Sequence, residues 1–126
     1  MKTIFITGAS AGLGKATAKL FQSKGWRVIA TMRKPEKETE LSELPNVTLL
    51  SLDITDLKQI NDTAKQAIEL GNIDVVFNNA GYGLIGALEA YTDEQITTQI
   101  ETNLTGEFRV RKLLFLISKK KGTVFL

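Results

Sequence analysis

Five short apolar runs recur along the chain, and a longer amphipathic stretch separates most of them. The runs are "KTIFIT" (2–7), "WRVIATM" (26–32), "VTLLSL" (47–52), "IDVVFN" (73–78) and "GTVFL" (122–126). Their length and β-branched content predict strands. A helix is predicted after the first run, with Ala16, Ala18, Leu20 and Phe21 toward the core, Lys15, Lys19 and Lys24 toward water, and Gly25 as its stop. A short helix is expected between Pro35 and Leu44, ended by Pro45. Asp56 caps a third, whose Leu57, Ile60, Ala64, Ala67 and Ile68 keep helical spacing up to Gly71. Thr92 or Asp93 opens a long fourth helix toward Ser118. Strands this apolar need cover on both faces, and crossover helices supply it in a parallel sheet. With right-handed crossovers, two five-stranded orders fit the pattern, 3-2-1-4-5 and 2-1-3-4-5.

Several function classes drop out on composition. The 126 residues suit one domain over 1–126, and no repeat, low-complexity tract or linker divides them. A formal net charge of +2 gives no argument for nucleic acid, and "KKK" (119–121) falls where cations complement a helix C-terminus. The chain has no cysteine and no histidine, which removes disulfides, thiolate chemistry, Ser-His-Asp catalysis and the commonest zinc ligands; no metal site is expected. "MKTIFI" is too short for a signal peptide and no run approaches a membrane span, so a cytoplasmic setting away from membranes is the expectation.

In a sheet of this kind, ligands bind beyond the carboxyl ends of the strands. Those ends carry Gly8, Gly12 and Gly14 after the first strand and Arg33-Lys34 after the second. Asp53-Ile54 follows the third, and Asn78-Asn79-Ala80-Gly81 the fourth. Together they would line one crevice. Glycines at the first turn let the chain reverse and bring backbone N–H groups to a ligand, and the N-terminus of the following helix favours pyrophosphate. Two residue pairs carry structural alternatives: Arg33-Lys34 as a solvated loop pair, and the Asn78 and Asn79 amides as braces between the fourth strand and the glycine turn.

The stretch Thr7-Gly8-Ala9-Ser10-Ala11-Gly12-Leu13-Gly14 has the spacing T-G-x-x-x-G-x-G. It resembles the cofactor loop of the short-chain dehydrogenase/reductase family. "NNAG" (78–81) is similar to that family's second signature, Asp53 to its adenine-contacting acid, and "ETNLTG" (101–106) to the segment bearing its active-site asparagine, here Asn103. "ATMRKPE" and "NNAGYGLIGALE" look most like the branch acting on hydroxysteroid- and retinol-type substrates. The resemblance implies a three-layer Rossmann fold with a five-stranded parallel sheet of order 3-2-1-4-5, lacking the family's last strands. It implies cofactor contacts from Gly8, Ser10, Ala11, Gly12, Leu13, Gly14, Asp53, Ile54, Asn79, Ala80 and Gly81, and a catalytic role for Asn103.

Cofactor choice follows from charge. Relatives that prefer NAD end the second strand with an acid for the ribose 2′-hydroxyl, whereas here Met32 stands there, followed by Arg33 and Lys34. A guanidinium can grip a 2′-phosphate in a bidentate fashion, so NADP is expected over NAD. The family's proton-transfer apparatus is a Ser and a Tyr-x-x-x-Lys beyond the fifth strand. Four residues after Tyr82 stands Gly86, and after Tyr91 stands Gln95, so neither fits. The expectation is therefore the NADP-binding portion of an oxidoreductase for a carbonyl or alcohol substrate, binding cofactor without turnover. The alternatives are a non-catalytic NADP-sensing module and a structural fragment. An apolar edge at 122–126 and apolar groups on several faces of "VRKLLFLI" (110–117) also predict a homo-oligomer.

Overall fold

A computed structural model describes residues 1–83, 85–118 and 124–126. Its first four strands are β1 (Thr3–Ile6), β2 (Arg27–Met32), β3 (Val47–Ser51) and β4 (Val75–Phe77). They run parallel in the order β3-β2-β1-β4. β1 is central, between β2 and β4, which excludes the alternative order beginning 2-1-3. Beside β4, β5 (Val124–Phe125) pairs with Val75 and Val76 in parallel register. Among the described residues, the expected fifth strand is this two-residue ladder. Lys119–Lys121 and the start of "GTVFL" lie outside the described residues.

The two-residue period of the strands divides the core. Ile4, Ile6, Val28, Ala30 and Met32 point to one face, where they meet Ala18 of α1 (Gly12–Ser23) and Leu41. Phe5, Ile29 and Val76 point to the other, against Ile60, Ala64 and Ala67 of α2 (Leu57–Glu69) and two residues of a later helix, Val110 and Leu114. Helices on both faces make three layers. Fully burying each of these large side chains contributes about 1.5–3 kcal/mol, so the central strands hold the fold together.

Helix details differ from the sequence reading in three places. The buried face of α1 is Gly14 and Ala18, with Phe21 half-buried, whereas Ala16 and Leu20 face solvent. Residues 14, 18 and 21 share one helix face, and a glycine and an alanine there let the axis approach the sheet closely. The helix expected between Pro35 and Leu44 is two single 3-10 turns, Pro35–Lys37 and Leu41–Glu43. Between them the Glu38 carboxylate accepts from the Glu40 and Leu41 amides, and this local acceptor competes with helix continuation.

The long last helix is interrupted. It runs as α3 (Asp93–Ile100), a wide π turn (Glu101–Thr105) and α4 (Gly106–Ser118). Thr92 opens it with a reciprocal cap: its hydroxyl accepts from Gln95 N–H at 3.1 Å, and its own N–H donates to Gln95 Oε1 at 3.0 Å. Asp56 caps α2 as expected, accepting from Gln59 N–H at 3.1 Å.

Candidate functional site

The carboxyl ends of β1 and β4 are tied together by side chains. Thr7 is buried at the end of β1, and its hydroxyl accepts from the backbone N–H of both Asn79 and Ala80, each at 3.0 Å. The Asn79 amide donates back to the Thr7 and Gly8 carbonyls at 3.3 and 3.0 Å. Gly8 turns the chain out of β1 with φ +66°, and a Cβ there would fall 2.8 Å from Ala80 Cα. Gly14 is buried in the first turn of α1, where a Cβ would collide with the Gly8 carbonyl and the Asn79 amide. Only glycine fits this meeting of turn, helix and strand end.

α1 opens at Gly12 with no side-chain cap on Ala11, so its first N–H groups remain unclaimed by a capping side chain. They stand on the wall of a crevice of about 870 Å³. Gly8, Ser10, Ala11 and Gly12 form one side, and Met32 and Arg33 the rim beyond β2. Leu52, Asp53, Ile54 and Thr55 follow β3, and Asn79, Ala80, Gly81 and Tyr82 follow β4. The four strand ends singled out in the sequence therefore meet around one hollow. Leu13, Gly14 and Lys34 stand outside its lining: Leu13 and Lys34 are exposed, and Gly14 is packed beneath the turn. Arg33 is exposed at the rim.

Asp53 is shaped by its own loop. One carboxylate oxygen accepts from the Thr55 N–H at 2.9 Å and the Thr55 hydroxyl at 2.6 Å, while its backbone N–H donates to Gln59 Oε1 at 2.9 Å. No bond is recorded for its second oxygen among the described residues. Asn103 lies in the wide turn and stands back from the crevice. Its Oδ1 accepts from Tyr82 N–H at 2.8 Å, and its Nδ2 donates to the Tyr82 carbonyl at 2.6 Å. It thus clamps the loop that lines the crevice, at the point where the helix widens. Such single wide turns recur at functional sites.

Sequence reasoning missed Thr98 and Thr102, which close the crevice from α3 and the wide turn. Their spacing of four residues was a usable signal, since it puts both on one helix face. Thr55 was also missed, although it follows Asp53-Ile54 directly. Elsewhere, Asn78 Oδ1 is buried without a hydrogen bond among the described residues, beside a hollow of about 250 Å³ shared with Glu107 and Arg111. Burial pushes the Glu107 carboxyl up, with Arg111 opposing. Among the described residues no group of His, Cys, Asp and Glu could hold a metal ion, and no helix is long and apolar enough to cross a membrane.

The profile of the family described as short chain dehydrogenase matches residues 2–125. An uncharacterized oxidoreductase of Schizosaccharomyces pombe is 38% identical over 121 residues, 95% of this chain and 41% of that protein. A 3-ketodihydrosphingosine reductase of Bacteroides thetaiotaomicron is 37% identical over 118 residues, 93% of this chain and 42% of the relative. Among solved structures, a variant of actinorhodin polyketide ketoreductase with NADPH superposes with a TM-score of 0.85 at 32% identity. That superposition covers 90% of this chain and 46% of the ketoreductase chain. The chain spans less than half the length of the relatives it matches here.

Proposed function

Because this chain belongs to the short-chain dehydrogenase family, we propose that it is the NADP(H)-binding portion of an oxidoreductase acting on a carbonyl or alcohol. The observation that carries the reading is the crevice itself, which joins the uncapped start of α1 to the ends of four parallel strands. A volume of about 870 Å³ is of the size that takes a cofactor, and the fit is chemical as well. Backbone N–H groups of the turn residues that line the crevice, Gly8, Ser10, Ala11 and Gly12, would meet the pyrophosphate. Asp53 and Ile54 would meet the adenine, and Asn79 to Gly81 the ribose and nicotinamide side. Arg33 would meet a 2′-phosphate, with Lys34 adding positive charge behind it.

The bound dinucleotide would supply hydride chemistry. This chain's residues bind and orient it, and Asn103 fixes the Tyr82 loop beside it. No Tyr-x-x-x-Lys occurs in the chain, so the chain by itself binds cofactor without turning over substrate. Two of these relatives, the 3-ketodihydrosphingosine reductase and the polyketide ketoreductase, are named for ketone reduction, which supports a carbonyl substrate class. Self-association through α4 and the β5 edge belongs to the same reading.

Calorimetric titration tests the cofactor assignment. NADPH is expected to bind more tightly than NADH, and Arg33→Ala should cost NADPH about ten- to a hundredfold while sparing NADH. Equal affinity of the unmutated chain for both would overturn NADP preference. Absence of binding by either would overturn the site.

A further inference from the structure

Four charged residues outside the crevice lining join the two elements that flank it. Lys15 follows Gly14 on α1, and its ammonium lies 3.2 Å from Glu38 Oε2 and 3.0 Å from Glu40 Oε1. Lys19, one turn on, also pairs with Glu40. Both acids belong to the loop between β2 and β3, the loop that begins at Arg33. The Glu38 side chain is only 5% exposed. A buried carboxylate is costly unless paired and hydrogen-bonded, and this one is both. Its Oε1 accepts from the Glu40 and Leu41 amides at 2.8 and 3.0 Å, while Oε2 faces Lys15.

The chain between Arg33 and Glu38 has little slack. Lys37 N–H donates to the Lys34 carbonyl and Glu38 N–H to the Pro35 carbonyl, each at 3.1 Å. Behind them, Ser51 Oγ donates to the Arg33 carbonyl at 3.3 Å. Arg33 is therefore held between β3 on one side and a single closed turn leading to Glu38 on the other. Lys15 is outside the crevice lining, and its ammonium faces two carboxylates of the β2–β3 loop.

We infer that Lys15 is a positioning residue for cofactor selection: by pairing with Glu38 it bolts the loop after β2 to α1, so that Arg33 is presented at the crevice rim. The inference rests on the NADP reading above. It assigns to Lys15 a share in discrimination between the two dinucleotides, although Lys15 would touch neither. Its effect belongs on the 2′-phosphate alone, since the pyrophosphate contacts come from the glycine turn.

The test compares the unmutated chain with Lys15→Met, Glu38→Gln and Lys15→Arg. Each is titrated with NADPH and with NADH, and amide exchange is followed at Glu40 and Leu41. Glu38→Gln keeps an acceptor oxygen for both amides and so guards against a merely unfolded variant. The expected result is an NADPH affinity about five- to tenfold lower in Lys15→Met and Glu38→Gln. NADH should stay within about twofold, exchange at Glu40 and Leu41 should quicken in Lys15→Met but stay near normal in Glu38→Gln, and Lys15→Arg should behave near normally throughout. Equal losses for both cofactors, or an unchanged ratio, would overturn the inference while leaving the NADP assignment standing. An unmutated chain without preference would overturn both.

Discussion

The Asn79 amide donates to the Gly8 carbonyl at 3.0 Å, and the side chain that Gly14 lacks would occupy the space of that bond. Turn, strand end and helix start are thus one packed unit, and the crevice wall inherits its shape. Gly14→Ala is expected to lower stability by about 1–3 kcal/mol, the cost of an extra methyl in a filled site. Urea unfolding measures it. A loss below about 0.5 kcal/mol, the ordinary effect of a surface change, would show that the unit yields easily.

Asn103 and Tyr82 make the second such tie. Asn103→Asp keeps the acceptor for Tyr82 N–H but replaces a donor with a carboxylate oxygen facing the Tyr82 carbonyl. Asn103→Asp is expected to weaken dinucleotide binding several-fold, and more than Asn103→Ala does, since repulsion is worse than a gap that water can fill. Comparison of the two variants by titration checks the order. The reverse order would remove the clamp as an explanation for Asn103.

Much of this architecture was legible because it follows from period and from glycine chemistry. Alternating apolar runs predicted a parallel sheet, and β1 lies in the middle of it, where "TIFI" is buried on both faces. The four strand ends were readable as one site because topology alone brings them together. Details set by a single side chain were not readable. Nothing in "PEKETELSEL" announces that the Glu38 carboxylate captures two amides and breaks the helix. The inward face of α1 was misread because Gly14 and Ala18 contribute closeness to the sheet, a quantity that hydrophobicity does not report. The wide turn at Glu101–Thr105 has no signature in a pattern of helical spacing.

The tie between α1 and the β2–β3 loop has a pH signature. The hydrogen bond from Lys19, then that from Lys15, lowers the Glu40 carboxyl from 4.5 to about 2. Glu38 is also lowered, first by the Leu41 amide. A depressed carboxylate stabilises the fold fully above its unfolded value, and the contribution is lost as pH falls toward the folded value. The melting temperature of the unmutated chain should exceed that of Glu40→Gln near neutrality, by a small margin because the pair is exposed and salt-screened. That margin should close between pH 4.5 and about 2. A margin constant across that window would mean that the ion pairs do not form in solution.

The last expectation concerns association. On α4, Val110 and Leu114 are buried against the sheet side, and a Cβ on Gly106 would fall 2.5 Å from the Ile54 carbonyl. Phe108 and Leu116 of α4 and Leu104 of the wide turn are each more than half accessible, as is Ile100 of α3, and Leu104 and Phe108 border the small hollow beside Asn78. Apolar exposure thus recurs from α3 through the wide turn into α4, at Ile100, Leu104, Phe108 and Leu116. Monomers seldom leave such a surface to water, and a second copy of the same helix offers a self-complementary cover. We therefore expect a dimer at micromolar concentration by sedimentation, and Phe108→Asp should weaken it at least about tenfold by placing a charge among these apolar groups. Leu13→Asp, exposed on the far helix α1, serves as the control and should leave the dimer intact. A monomer at every concentration, or equal effects of the two substitutions, would show that this part of α4 is not the surface through which copies meet.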